Sequence, residues 1–148
     1  MLQNFESLVL IWLGIGFITF ITLLKIPAPY GKFSKTNWGP MIPSKLGWIV
    51  MEIISPLALL YFFLNGNIEK TPTNITFISL WTLHYFNRSV IYPLRQNNPA
   101  QMPLIIAVLA FLFNVMNGYI NGTYFGSIQE YSAESVSYTH LTLPTNGL

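Results

Sequence analysis

SLVLIWLGIGFITFITLL, Ser7 to Leu24, decides what kind of protein this is. The run holds no charged side chain and approaches the roughly 20 apolar residues that a helix needs to cross the hydrocarbon core. It is the first candidate membrane span. Glu6 precedes it and no basic cluster does, so a true span is favoured over a cleaved secretory leader. The composition of the whole chain agrees. Its 148 residues are 52% apolar and only 8% charged, whereas soluble domains carry about a quarter charged residues. A net charge of +2, with seven scattered Lys and Arg, argues against a nucleic-acid partner. The lack of cysteine excludes disulfides, thiolate zinc sites and a cysteine nucleophile.

Beyond this span, Ile26 to Ser44 holds four prolines and two lysines. It reads as an ordered loop rather than a helix, and a loop of that length is usually functional. Leu46 to Leu64 is a second span, apolar except for Glu52, and ends in the turn-like Asn65 to Asn67. A third runs from about Thr73 to Leu94. Gln96, Asn97, Asn98 and Pro99 then make a polar break, after which Pro103 opens a fourth helix through about Phe113, with a more polar second half from Asn114 to Phe125. The expected fold is therefore all-α, a polytopic transmembrane helical bundle with about four membrane helices. Lys25, Lys32, Lys35 and Lys45 flank the first loop and Arg95 follows the third span, which places the first and third loops on the cytoplasmic side and the N-terminus outward or lumenal. The sequons at Asn74, Asn87 and Asn121 fall in or near helices, so glycosylation carries little weight.

The last residues, VSYTHLTLPTNGL from Val136, share no pattern with what precedes them. They resemble the translation of a sequencing-library adapter, so residues 1–135 are taken as the membrane domain and residues 136–148 as a non-native tail, with the natural reading frame cut near Ser135. The alternative is an ordinary disordered C-terminal tail.

Several polar residues stand out against the apolar background. An acid such as Glu52 inside a span is a functional hypothesis by default. Burial favours the neutral carboxylic acid, which can donate a hydrogen bond; the structural alternative is a Glu52 that bonds a neighbouring helix or reaches the interface. In LHYFNRSVIYPL, Leu83 to Leu94, Tyr85, Arg88 and Tyr92 fall at i, i+3 and i+7 and share a face, with His84 one turn from Arg88. Arg88 can equally snorkel to the interface and Tyr92 sit in an aromatic belt. Two histidines in the chain leave too few ligands for a metal site. APYGK, Ala28 to Lys32, pairs turn-forming residues with a cation that can meet an anionic head group or a cofactor phosphate. NGYING, Asn117 to Gly122, puts two Asn-Gly pairs where a membrane helix should avoid them, a sign that they line a site.

APYGK, GWIVMEIISP, LHYFNRSVIYPL and NGYINGTYF, in this order, resemble the N-terminal half of the steroid 5α-reductase family over about residues 25 to 125. The resemblance implies an integral membrane enzyme of about seven helices that uses NADPH to reduce the double bond of an α,β-unsaturated ketone, a 3-oxo-4-ene steroid or similar lipid. Related families act on polyprenal or trans-2-enoyl thioesters. It further implies that Glu52 and Tyr85 hold the substrate's carbonyl oxygen and that Arg88 lies near the cofactor. Asn117 and Asn121 fall in the family's cofactor-contacting N-G-x-x-Q-G-x-Y pattern, with Asn121 in place of the glutamine, and Asn87 stands where the family often has His. The C-terminal half that supplies most NADPH contacts in the family has no counterpart here, so the 148-residue chain is expected to be inactive. The expected surroundings are the bilayer and a lipophilic enone, with no nucleic-acid or protein partner, in the endoplasmic reticulum of a eukaryote or the inner membrane of a bacterium. A competing reading is a non-catalytic four-helix membrane protein in which Glu52 and Arg88 simply pair across helices.

Overall fold

A computed structural model describes residues 2–29, 33, 37–97 and 100–131. Tyr30, Gly31 and Lys32 of the APYGK loop, Lys35, the Asn98–Pro99 pair and the tail from Val136 all lie outside the described residues. Helices account for most of what is described. They are α1 (Leu2–Leu23), α2 (Ser44–Leu64), α3 (Pro72–Phe86), α4 (Tyr92–Arg95) and α5 (Leu104–Thr123). A π-helical segment, Asn87–Ile91, joins α3 to α4, and another, Tyr124–Ile128, extends α5. Three of these helices, Gln3–Leu23, Ser44–Leu64 and Leu104–Ile128, are long and apolar enough to cross a membrane. The less apolar α3–α4 unit completes the four expected segments.

The widened turn between α3 and α4 has a local cause. Pro93 has no N–H for the carbonyl of Ser89, and its ring crowds that carbonyl. The turn before it opens, and the Tyr92 N–H bonds back to the Asn87 carbonyl, five residues earlier. α3 itself starts at a Thr71 cap, whose hydroxyl oxygen accepts from the Asn74 N–H, followed by Pro72 in the first turn.

α2 is the centre of the bundle, and its most extensive interface is with α5. Glycine makes this possible. A Cβ on Gly118 would lie 2.7 Å from the Ser55 carbonyl oxygen, and one on Gly122 would lie 2.6 Å from that of Leu59. With hydrogen there instead, the two backbones approach closely, the way small residues bring membrane helices together. This corrects the expectation for NGYING. The segment is regular helix, its glycines are packing positions rather than site-lining backbone, and α5 continues through it to Thr123.

Two small cores result. One groups Met51, Met102 and Ala107; the other groups Leu59, Phe63 and Ile78. The ends of the bundle are tied by backbone contacts. Strand β1 (Met41–Pro43) pairs antiparallel with β2 (Gln101–Pro103), with Ile42 opposite Met102, so the first and third loops lie on one side. On the other side, the Ile68 N–H donates to the Gly126 carbonyl. The side chain of Asn74 is fully buried and donates to the Phe125 carbonyl at 3.4 Å, which removes that sequon from the surface. α1 stands apart, touching α5 through the stacked rings of Trp12 and Phe113 at 5.5 Å.

Candidate functional site

Between α2, α3, the π segment and α5 lies a partly open cavity of about 390 Å³. Its lining includes Glu52 and Trp48 from α2, Tyr85 and His84 from α3, Arg88 from the π segment and Asn114 from α5. Glu52, Tyr85 and Arg88, which stand on two different helical segments of the sequence, therefore meet around one space. Asn117 and Asn121 do not line it.

Each side chain is held by identifiable contacts. Glu52 is 5% exposed, and its Oε1 accepts from Arg88 Nη2 at 2.6 Å. Arg88 in turn lies over the Trp48 ring, 5.4 Å from its centroid, a favourable placement for a guanidinium among apolar groups. As arranged here Glu52 is an acceptor and one member of an ion pair, which is the cross-helix pairing of the competing reading. Tyr85 is stacked on Trp81 at 5.3 Å and meets the edge of His84 at 5.2 Å. Its hydroxyl accepts from Asn117 Nδ2 at 3.4 Å. Asn121, one turn further along α5, donates to the Asn117 carbonyl at 2.9 Å and to its Oδ1 at 3.0 Å. Asn121 itself faces a separate groove against α1, beside Phe5, Val9 and Tyr124.

Three contributors escaped the reading of the sequence. Asn114 is buried and donates through Nδ2 to the Met51 carbonyl at 2.7 Å. Its signal was a lone amide opening the polar half of the fourth segment, which marks a position but not a partner. Pro56 is another. It removes the helical donor to the carbonyl of Glu52, loosening α2 at the turn where Asn114 crosses to it. Trp48, the ring beneath Arg88, carried no pattern that distinguished it from a membrane-interface tryptophan.

The cavity thus combines an apolar wall with an ion pair, a phenol and an amide, the mixture of a small-molecule site. Comparison with known proteins shows what it is similar to. The family model described as 3-oxo-5-alpha-steroid 4-dehydrogenase matches residues 100–145. Steroid 5-alpha-reductase DET2 of Gossypium hirsutum is 44% identical over 108 residues, covering 69% of this chain and 41% of the cotton protein. The chain is a relative of the steroid 5α-reductase family. The DET2 protein of Solanum lycopersicum aligns over more of it, 33% identical over 134 residues, 88% of this chain and 52% of the tomato protein. Among animal proteins, 3-oxo-5-alpha-steroid 4-dehydrogenase 1 of Rattus norvegicus is 25% identical over 126 residues, 83% of this chain and 48% of its own length. This 5α-reductase relative thus spans about half the length of the curated relatives it matches. The family membership suggested by the four motifs stands.

Proposed function

We propose that this chain carries the ketone-gripping part of an NADPH-dependent reductase that acts on the double bond of an α,β-unsaturated ketone, a 3-oxo-4-ene steroid or similar lipid. The observation that supports this is that Glu52 and Tyr85, on different helices, line one cavity whose wall mixes polar and apolar side chains. Reduction at the β-carbon of an enone drives negative charge onto the carbonyl oxygen, and donors fixed in a water-poor pocket stabilise that charge as it forms. Tyr85 is the donor at hand. Glu52 lines the same space as the partner of Arg88.

The family generally implies a nicotinamide cofactor. At about 390 Å³ the cavity lies at the lower end of the roughly 300–1,000 Å³ of small-molecule sites, too small for a dinucleotide and a steroid together. Among the described residues, Arg88 is the one permanent cation lining it, and it is engaged with Glu52. These residues suit recognition of a ketone and do not fit a whole dinucleotide, so the chain as given is not expected to turn over. Arg88, Asn117 and Asn121 remain the positions at which the family resemblance puts cofactor contacts.

Binding tests the proposal directly. A 3-oxo-4-ene steroid should bind the chain in lipid nanodiscs about three to ten times more tightly than its 3-deoxy analogue, the value of one added hydrogen bond. Tyr85→Phe should remove most of that preference. Equal affinity of the wild-type chain for the two steroids would overturn the reading. Competition by a polyprenal or a trans-2-enoyl thioester at lower concentration than the steroid would move the substrate class instead. The Glu52–Arg88 ion pair favours a second reading, a non-catalytic four-helix membrane protein, under which Tyr85→Phe is silent.

A further inference from the structure

A tyrosine hydroxyl has one proton to give and lone pairs to receive. At Tyr85 the oxygen already receives a hydrogen bond, from Asn117 Nδ2 at 3.4 Å. The direction of that bond is fixed by the next contact along α5. Asn121 Nδ2 donates to Asn117 Oδ1 at 3.0 Å, and an amide whose oxygen is occupied by a donor turns its own NH2 the other way. Reversing the Asn117 amide would set its NH2 against that of Asn121 and lose this bond. Asn121 is itself anchored by a second bond, to the backbone carbonyl of Asn117 at 2.9 Å.

We infer that Asn117, oriented by Asn121, is a positioning residue for Tyr85: it occupies the phenol oxygen as a donor and so leaves the phenol proton for a ligand oxygen in the cavity. The inference rests on the ketone-site reading proposed above. It assigns Asn117 and Asn121 to a place behind the tyrosine, since neither lines the cavity. Donation into the phenol oxygen also polarises its O–H, which strengthens the bond that the same oxygen donates. The pair acts on the ligand only through Tyr85.

Exchange of one atom tests this. Asn117→Asp keeps the shape of the side chain but replaces the NH2 by an acceptor, which would draw the Tyr85 proton to itself and away from the cavity. The measurement is the ratio of affinities of the full chain, in lipid nanodiscs, for a 3-oxo-4-ene steroid and its 3-deoxy analogue, read by tryptophan fluorescence. In Asn117→Asp the ratio is expected to fall about five-fold, to the level of Tyr85→Phe. Adding Asn117→Asp to Tyr85→Phe should change it no further, which a merely structural role would not produce. Asn121→Ala, which frees the Asn117 amide to turn, should give an intermediate ratio. A wild-type ratio in Asn117→Asp, or a fall that persists in the Tyr85→Phe background, overturns the inference. If Asn117→Asp does not fold, Asn121→Ala decides alone, and an unchanged ratio there overturns it. A wild-type chain that fails to distinguish the two steroids sinks the ketone-site reading itself; one that distinguishes them while Asn117→Asp is indifferent sinks only the role of Asn117.

Discussion

Glu52 and Arg88 meet through a single 2.6 Å contact that joins α2 to the π segment. An acid 5% exposed in an apolar bundle is costly without a partner, and removing one member of such a pair leaves the other stranded. Arg88→Leu and Glu52→Leu are therefore each expected to lower thermal stability in detergent, while the double substitution restores part of the loss. The coupling between them should be on the order of 1 kcal/mol, at the low end for contacting charges, because the Arg88 side chain is 42% exposed. Additive losses would show that the two side chains do not depend on each other. The sequence marked both residues as out of place in greasy helices, and it offered their mutual pairing as one explanation. Choosing that pairing over a snorkelling arginine needed the relative rotation of α2 and α3, which spacing along one helix does not contain.

Gly118 and Gly122 show how a motif can be read at the right position for the wrong reason. Two Asn-Gly pairs in an apolar run suggested residues that line a site, yet both glycines are helical and lie against the α2 carbonyls of Ser55 and Leu59. Gly122→Leu would force a side chain into space where even a Cβ would be 2.6 Å from backbone oxygen. Overpacking of this kind costs roughly 1–3 kcal/mol or more. The substitution is expected to part α2 from α5 and to abolish steroid binding together with protease resistance. Gly14→Leu, at a position with nothing within 4 Å, should leave both unchanged. Of the asparagines of the same motif, Asn117 meets the Tyr85 hydroxyl and Asn121 meets Asn117. The third span was expected to run through Pro93 to about Leu94; that this proline produces a π turn carrying Arg88 was not legible, because the register of the widened turn depends on what the helix packs against.

Backbone pairing organises the bundle as a whole. β1 and β2 hold the first and third loops together, while the second loop meets the far end of α5 through Ile68 and Gly126. Counting lysines and arginines placed the first and third loops on one face of the membrane, and the strand pairing puts them side by side. With no native cysteine in the chain, Ala100→Cys and Asn67→Cys should react with a membrane-impermeant maleimide from opposite sides of sealed vesicles, Ala100→Cys from the side corresponding to the cytoplasm. Labelling of both from one side would contradict the topology. α1 contributes little to the packing, and its apolar side chains, such as Leu10, Phe17 and Phe20, are largely exposed, as suits a helix surrounded by lipid.

Hydrophobic runs of membrane length, with prolines and polar breaks between them, were enough to establish an all-α membrane protein and the extent of its helices to within a few residues. That information is local: the cost of exposing backbone to hydrocarbon acts on each segment separately. The motifs likewise named Glu52, Tyr85 and Arg88. What surrounds them was settled by contacts between segments distant in the chain, where glycine lets α5 close on α2, Asn114 reaches the Met51 carbonyl, and Asn121 turns the Asn117 amide toward Tyr85. Those partners depend on how helices rotate and cross, and a hydrogen bond between helices leaves no periodicity in either one.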